Sequence, residues 1–199
     1  MQRAVRSKQA RLATVLAGAC IGLALLPGDL AEWLAFDRQA VLQGEIWRLW
    51  TAHFVHFSWR QAALDTAALA TVASMAEREL GALGAAVATL LGAAVISLVM
   101  LVAVPGMQVY EGASGLSVLL GTAAATQLWN RSPSSRLFLV LMAGAVIGKL
   151  LLDASDSCPG CSSLPTGVRV AWQAHVAGLA IGALLGWPVL TWKRRRVVQ

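Results

Sequence analysis

The sequence predicts an all-α membrane protein: one bundle of six transmembrane helices with its N- and C-termini in the cytoplasm. Three observations carry that prediction. First, 57% of the 199 residues are hydrophobic and only 13% are charged, against roughly 25% charged in a globular average. Mean hydropathy is +0.65. Second, the apolar residues come in blocks of about the 20 that a bilayer core requires per helical crossing. The charges fall between the blocks, which leaves no room for a separate soluble domain, so residues 1–199 read as one transmembrane domain. Third, basic residues crowd both tails: Arg3, Arg6, Lys8 and Arg11 at the start, Lys193 to Arg196 at the end. That is the positive-inside pattern twice over, and it requires an even number of crossings. A nucleic-acid surface would instead need its cations on a folded face.

The segments follow in order. The first is predicted at 12–26, an uncleaved span, because no small-x-small cleavage site precedes Gly28 and more spans follow. Residues 28–58 form a long outer loop with short helices. It is rich in tryptophan (Trp33, Trp47, Trp50, with Trp59 just after), a residue that buries its ring and wets its N–H at a membrane interface. The second span is predicted at 59–75, polar in its outer half through Arg60, Gln61 and Asp65. Glu77 and Arg78 are expected to tie its inner end to neighbouring helices. The third, at 83–104, is almost wholly apolar. Pro105 and Gly106 open a loop that ends in Gly112-Ala113-Ser114-Gly115. The fourth span is predicted at 114–129, the fifth at 137–152 and the sixth at 170–192.

Cys20 reads as a small apolar residue of the first span. Cys158 and Cys161, in the outer loop after the fifth span, are a disulfide candidate in an oxidising compartment. Free thiols, a redox pair or half a metal site are the other readings. A lone CxxC without a second ligand pair is weak evidence for metal.

A polar group within a span is costly unless it is paired or faces a wet cavity. Gln61, Asp65, Ser114 and His175 all fall at similar depth on the outer side. His175 lies five residues into the last span, about 8 Å below its outer end at 1.5 Å per residue. Serine packs commonly in membrane helices, and a buried histidine is often just a satisfied hydrogen-bonding group. The surroundings of these two argue for more. GxSG leaves the hydroxyl between small residues, where a substrate backbone can approach. Gly178, Gly182 and Gly186 repeat at small-xxx-small spacing, which lets helices approach closely. A last span packed tightly on the fourth would carry the imidazole to the serine. Lys149 and Asp153 read as a local i,i+4 ion pair.

These stretches, with Trp47-Arg48, His56-Phe57-Ser58 and Glu77-Arg78-Glu79-Leu80-Gly81, resemble the rhomboid family of intramembrane serine proteases from Trp47 to Trp187. The Tyr-x-Gly-x-Ser-Gly form and the Lys149–Asp153 segment further resemble its rhombosortase branch. The resemblance implies a multi-pass protein of the bacterial cytoplasmic membrane, a Ser114–His175 catalytic dyad and no cofactor or metal. It also implies substrates that are membrane proteins with a transmembrane or Gly-Gly-type C-terminal anchor segment. Gln61, Asp65 and Gly112 fall where the oxyanion is bound or the histidine oriented. Gln61 keeps an N–H donor, whereas Asp65 would serve either as a protonated acid or by orienting His175. Gly178 and Gly182 would set the helix packing, and His56 would fix the first loop by a hydrogen bond. Val118 stands where an aromatic residue often stacks on the histidine. The alternative reading is a catalytically inactive rhomboid-like protein that binds transmembrane segments without cutting them.

Overall fold

The structure is a computed structural model that describes residues 11–155 and 170–187. Cys158, Cys161, Arg3, Arg6, Lys8, Lys193 to Arg196 and residues 188–192 of the last predicted segment lie outside the described residues. Helix α1 (Arg11–Ala24) is followed by three short helices, α2 (Gly28–Leu34), α3 (Arg38–Leu42) and α4 (Arg48–Thr51). Then come α5 (Trp59–Leu80), α6 (Ala82–Ala103), α7 (Ser114–Arg131), α8 (Arg136–Ala154) and α9 (Trp172–Gly186). A 3₁₀ turn, Pro133–Ser135, joins α7 to α8. By length and composition, Ala82–Ala103 and Pro133–Ala154 are able to cross a bilayer, with mean hydropathies of 2.5 and 2.1. The apolar α1 and α9 are shorter.

α5 outruns the predicted end at residue 75 because its charges are used within the helix. Glu77 is buried and accepts the N–H of Leu12 at 3.0 Å, which satisfies an orphan donor at the start of α1. Glu79 pairs with Arg131 of α7 at 3.1 Å. Arg78, expected to share the tie, points outward and is exposed, since its neighbours on either side occupy the packed faces. Gly81, at φ 79°, ends the helix.

α7 is the central helix. Leu116, Leu119, Leu120, Ala123 and Ala124 are fully buried, because α5, α6 and α9 all pack on it. Its tightest neighbour is α9, and the reason is the glycine stripe. A β-carbon on Gly178 would run into the carbonyl oxygen of Gly115, and one on Gly182 into that of Leu119. One on Gly186 would strike Thr126 and Ala123. Small residues at this spacing let the two backbones approach closely, and the many atom contacts so made hold the pair. Gln127 fastens the inner end by donating to the Gly186 carbonyl at 3.1 Å. α8 is the outlier, with Leu139 its one buried residue.

Residues 28–58 fold back on the bundle. Two guanidinium groups organise them, each by capping backbone carbonyls. Arg38 donates to Met100, Leu101, Val104 and Met107 at 2.7–3.0 Å, closing the C-terminus of α6 where the helix dipole favours a cation. Arg48 is buried, donating to the carbonyls of Glu32 and Ala35 and to Glu45 Oε2. A two-residue antiparallel pairing, β1 (Phe36–Asp37) with β2 (Val109–Tyr110), stitches this segment to the loop ahead of Ser114.

His53, between α4 and α5, is fully buried, with Nε2 3.0 Å from both the Ala93 carbonyl and Ser97 Oγ of α6. Burial pulls its pKa down to about 4 from 6.5. The unfolded ring gains a proton as pH falls through 6.5, while the folded ring stays neutral until about 4. The ring's contribution to stability is therefore whole above 6.5 and declines by about 3 kcal/mol between 6.5 and 4. Thermal unfolding in detergent should show a Tm that drops over that window. The drop should flatten in His53→Gln, and an equal slope in both proteins would refute the assignment.

Candidate active site

Ser114 is the first residue of α7, and His175 faces it from the second turn region of α9. The imidazole Nε2 lies 2.8 Å from the Ser114 hydroxyl oxygen. Two elements produce that distance. The Gly178–Gly115 contact brings the helices together one turn beyond His175, and Ala174 packs against Gly115.

The loop leading into Ser114 is held from three directions. Gly112 takes φ +122°, a conformation that side chains rarely adopt, and a β-carbon there would meet Gln61 Nε2 and Asp65 Oδ2. Its N–H donates to the Ala52 carbonyl at 3.0 Å. The Tyr110 hydroxyl donates to the Gly112 carbonyl at 2.9 Å and lies 3.4 Å from His53 Nδ1, with the two rings edge to face. Burial pushes the pKa of that phenol upward, so it stays a donor.

Asp65 is bonded to this loop, not to the imidazole. Its Oδ2 accepts the N–H of Ala113 at 3.0 Å and stands 3.5 Å from His56 Nε2. The His56 ring is buried, and neither of its nitrogens finds a hydrogen-bond partner among the described residues. The loop-fixing hydrogen bond expected of His56 is thus not formed among the described residues; its ring only approaches the carboxylate.

Gln61 spends its oxygen on the N–H of Phe57 at 3.1 Å and one N–H on the Glu111 carbonyl at 3.2 Å. The second hydrogen of its amide has no acceptor among the described residues, and Gln61 lines the same cavity as Ser114. The first N–H groups of α7 have no intrahelical acceptors. The first i→i−4 bond of this end is Ser117 N–H to the Ala113 carbonyl.

An open cavity of about 1000 Å³ reaches the pair. Gln61, Asp65, Glu111, Ser114, Lys149 and His175 share its wall with apolar side chains of α5 and α8. Val118 also lines it, where no aromatic ring narrows the space. The geometry adds residues that sequence reasoning had set aside. Lys149 does pair with Asp153, yet it faces the cavity. Glu111 is half-buried, its carboxyl pushed up to about 7, chiefly by burial and secondarily by His56 and Glu32, which act in opposite directions. Its signal was its place inside the Tyr-x-Gly-x-Ser-Gly stretch. Among the described residues no three His, Cys, Asp or Glu side chains converge as a metal would require.

Asp65→Ala should strand the Ala113 N–H and let the loop shift, with a loss of about 10²-fold in turnover. Asp65→Asn keeps an acceptor oxygen and should recover most of that loss. If Asp65 worked instead by orienting the imidazole, the asparagine would be as damaging as the alanine. Steady-state cleavage rates of the two variants separate the roles.

The family model described as Rhomboid domain matches residues 43–192. No curated protein matches the chain.

Proposed function

The chain belongs to the rhomboid family, and from that premise we propose that it is an intramembrane serine endopeptidase with Ser114 as nucleophile and His175 as general base. The observation that carries this reading is the 2.8 Å contact between the two side chains at the head of the central helix, open to a cavity. His175 takes the hydroxyl proton as Oγ attacks a peptide carbonyl, then gives it to the leaving amine. The oxyanion forms against the free N–H groups at the start of α7 and the second N–H of Gln61, supported by Gly112, whose missing β-carbon lets Gln61 approach. Asp65 acts as a positioning residue for the loop. Gly178 and Gly182 hold the two catalytic helices together, and Glu77 anchors α1.

The protein crosses the bacterial cytoplasmic membrane six times with both termini inside. Its substrates are exported proteins with a transmembrane or Gly-Gly-type C-terminal anchor segment, as in the rhombosortase branch. They enter laterally beside the loosely packed α8.

The test is made in bacterial membranes. An alkyl fluorophosphonate should label the wild type and leave Ser114→Ala unlabelled. A co-expressed tagged protein ending in a Gly-Gly-bearing anchor should be shortened by the wild type alone. Labelling without shortening would remove the Gly-Gly assignment and keep the protease. Absence of both would favour a binding protein without catalytic activity.

A further inference from the structure

Among the described residues, the acidic and basic side chains that line the cavity are Arg60, Asp65, Glu111, Lys149 and His175. Three are engaged by neighbours. Asp65 accepts the Ala113 N–H, Lys149 pairs with Asp153, and His175 meets Ser114. Arg60 is exposed at the mouth. Glu111 differs from all of them. It is half-buried, lies three residues before the nucleophile, and its carboxyl makes no hydrogen bond or ion pair among the described residues. Its backbone carbonyl accepts from Gln61 Nε2 at 3.2 Å, which pins the residue in the same cavity wall as Ser114 and His175. The residue is thereby fixed beside the place that a scissile carbonyl would occupy. The cavity wall also carries apolar side chains, Leu64, Met107 and Val109 among them. His56 and Glu32 act on this carboxyl only through space and in opposite senses; held there without a hydrogen bond or ion pair among the described residues, it gains most from an ionised donor.

Resting on the serine-protease reading, we infer that Glu111 is a specificity-determining residue that takes a basic side chain at one of the two substrate residues preceding the scissile bond. The complement is a lysine or arginine whose stem lies along the apolar wall while its head reaches the carboxylate. An acidic side chain at the same place would meet Glu111 without compensation and be rejected.

The experiment uses the full-length protein in detergent and dipeptidyl diphenyl phosphonates. These carry lysine, glutamate or alanine at either of the two positions preceding phosphorus. The second-order rate of labelling at Ser114 is read for each. The wild type should take the lysine probe at least about tenfold faster than the glutamate probe at one of the two positions. Glu111→Gln should bring that ratio near one, and Glu111→Lys should invert it. Using the ratio within each variant cancels any loss that the substitution causes at the nucleophile itself. An unchanged ratio in Glu111→Gln overturns the assignment, as does a wild type that labels with the alanine probe but has no charge preference at either position. A wild type that reacts with neither these phosphonates nor an alkyl fluorophosphonate removes the serine-protease reading, and this inference with it.

Discussion

Ser114→Ala and His175→Ala are each expected to lower turnover by about 10⁶-fold, and the double variant is expected to be no worse than either single one. In such a dyad the two side chains act as one unit. A serine without its base is an alcohol of ordinary reactivity, and an imidazole without the hydroxyl has nothing to activate. Losses in such units are grossly non-additive. The 2.8 Å contact makes the coupling direct. Residual rate in all three variants would come from the donors at the start of α7 and from Gln61, which the substitutions leave in place. The measurement is cleavage of one purified substrate by the four proteins in the same detergent. Additive losses, with the double variant at the product of the singles, would mean that Ser114 and His175 serve independent steps and would sink the dyad. Because alanine in place of either polar group creates no clash, unfolding midpoints should stay close to the wild type.

How much of this was legible in the sequence depended on whether the cause was local. The helices at 82–103 and 136–154 could be read because hydropathy is summed along a continuous segment. The pairing of α7 with α9 was legible from the Gly178, Gly182 and Gly186 spacing, a period that one helix carries alone. The end of α5 was misplaced since Glu77 looked like a terminus until Leu12 supplied its partner from 65 residues away. Asp65 shows the same limit at the site. Its type and depth marked it as important, but its partner, the Ala113 N–H, is a backbone group and leaves no trace in the sequence. The β1–β2 pairing is two residues long, too short for any periodicity to show. Arg38 gave no signal because its acceptors are four carbonyls belonging to residues of other types. Lys149 was discounted for having a partner in Asp153, although being paired and facing a cavity are compatible.

Gly178→Ala is the substitution expected to cost most for the least added volume. Its β-carbon falls on the Gly115 carbonyl, a backbone atom in the first turn of α7 that cannot swing aside. α9 must then move outward, and the movement is greatest beside His175, three residues earlier on the same face. A displacement near 1 Å takes Nε2 beyond hydrogen-bond reach of the hydroxyl, and misplacement on that scale costs about 10²-fold in rate. Overpacking should also remove about 1–3 kcal/mol of stability. Gly186→Ala meets Thr126 and Ala123 at the far end of the same interface. It should lose comparable stability but less activity, since the helix pivots away from the site. Gly144→Ala and Gly148→Ala, on α8, meet nothing within 4 Å and serve as controls that should match the wild type. Unfolding midpoints and cleavage rates measured on the four variants separate packing from catalysis. If Gly178→Ala and Gly186→Ala lost activity equally, the glycine stripe would be setting overall helix association and not the Ser114–His175 distance. If Gly178→Ala kept full activity, the approach of the two backbones would not be what holds the pair together.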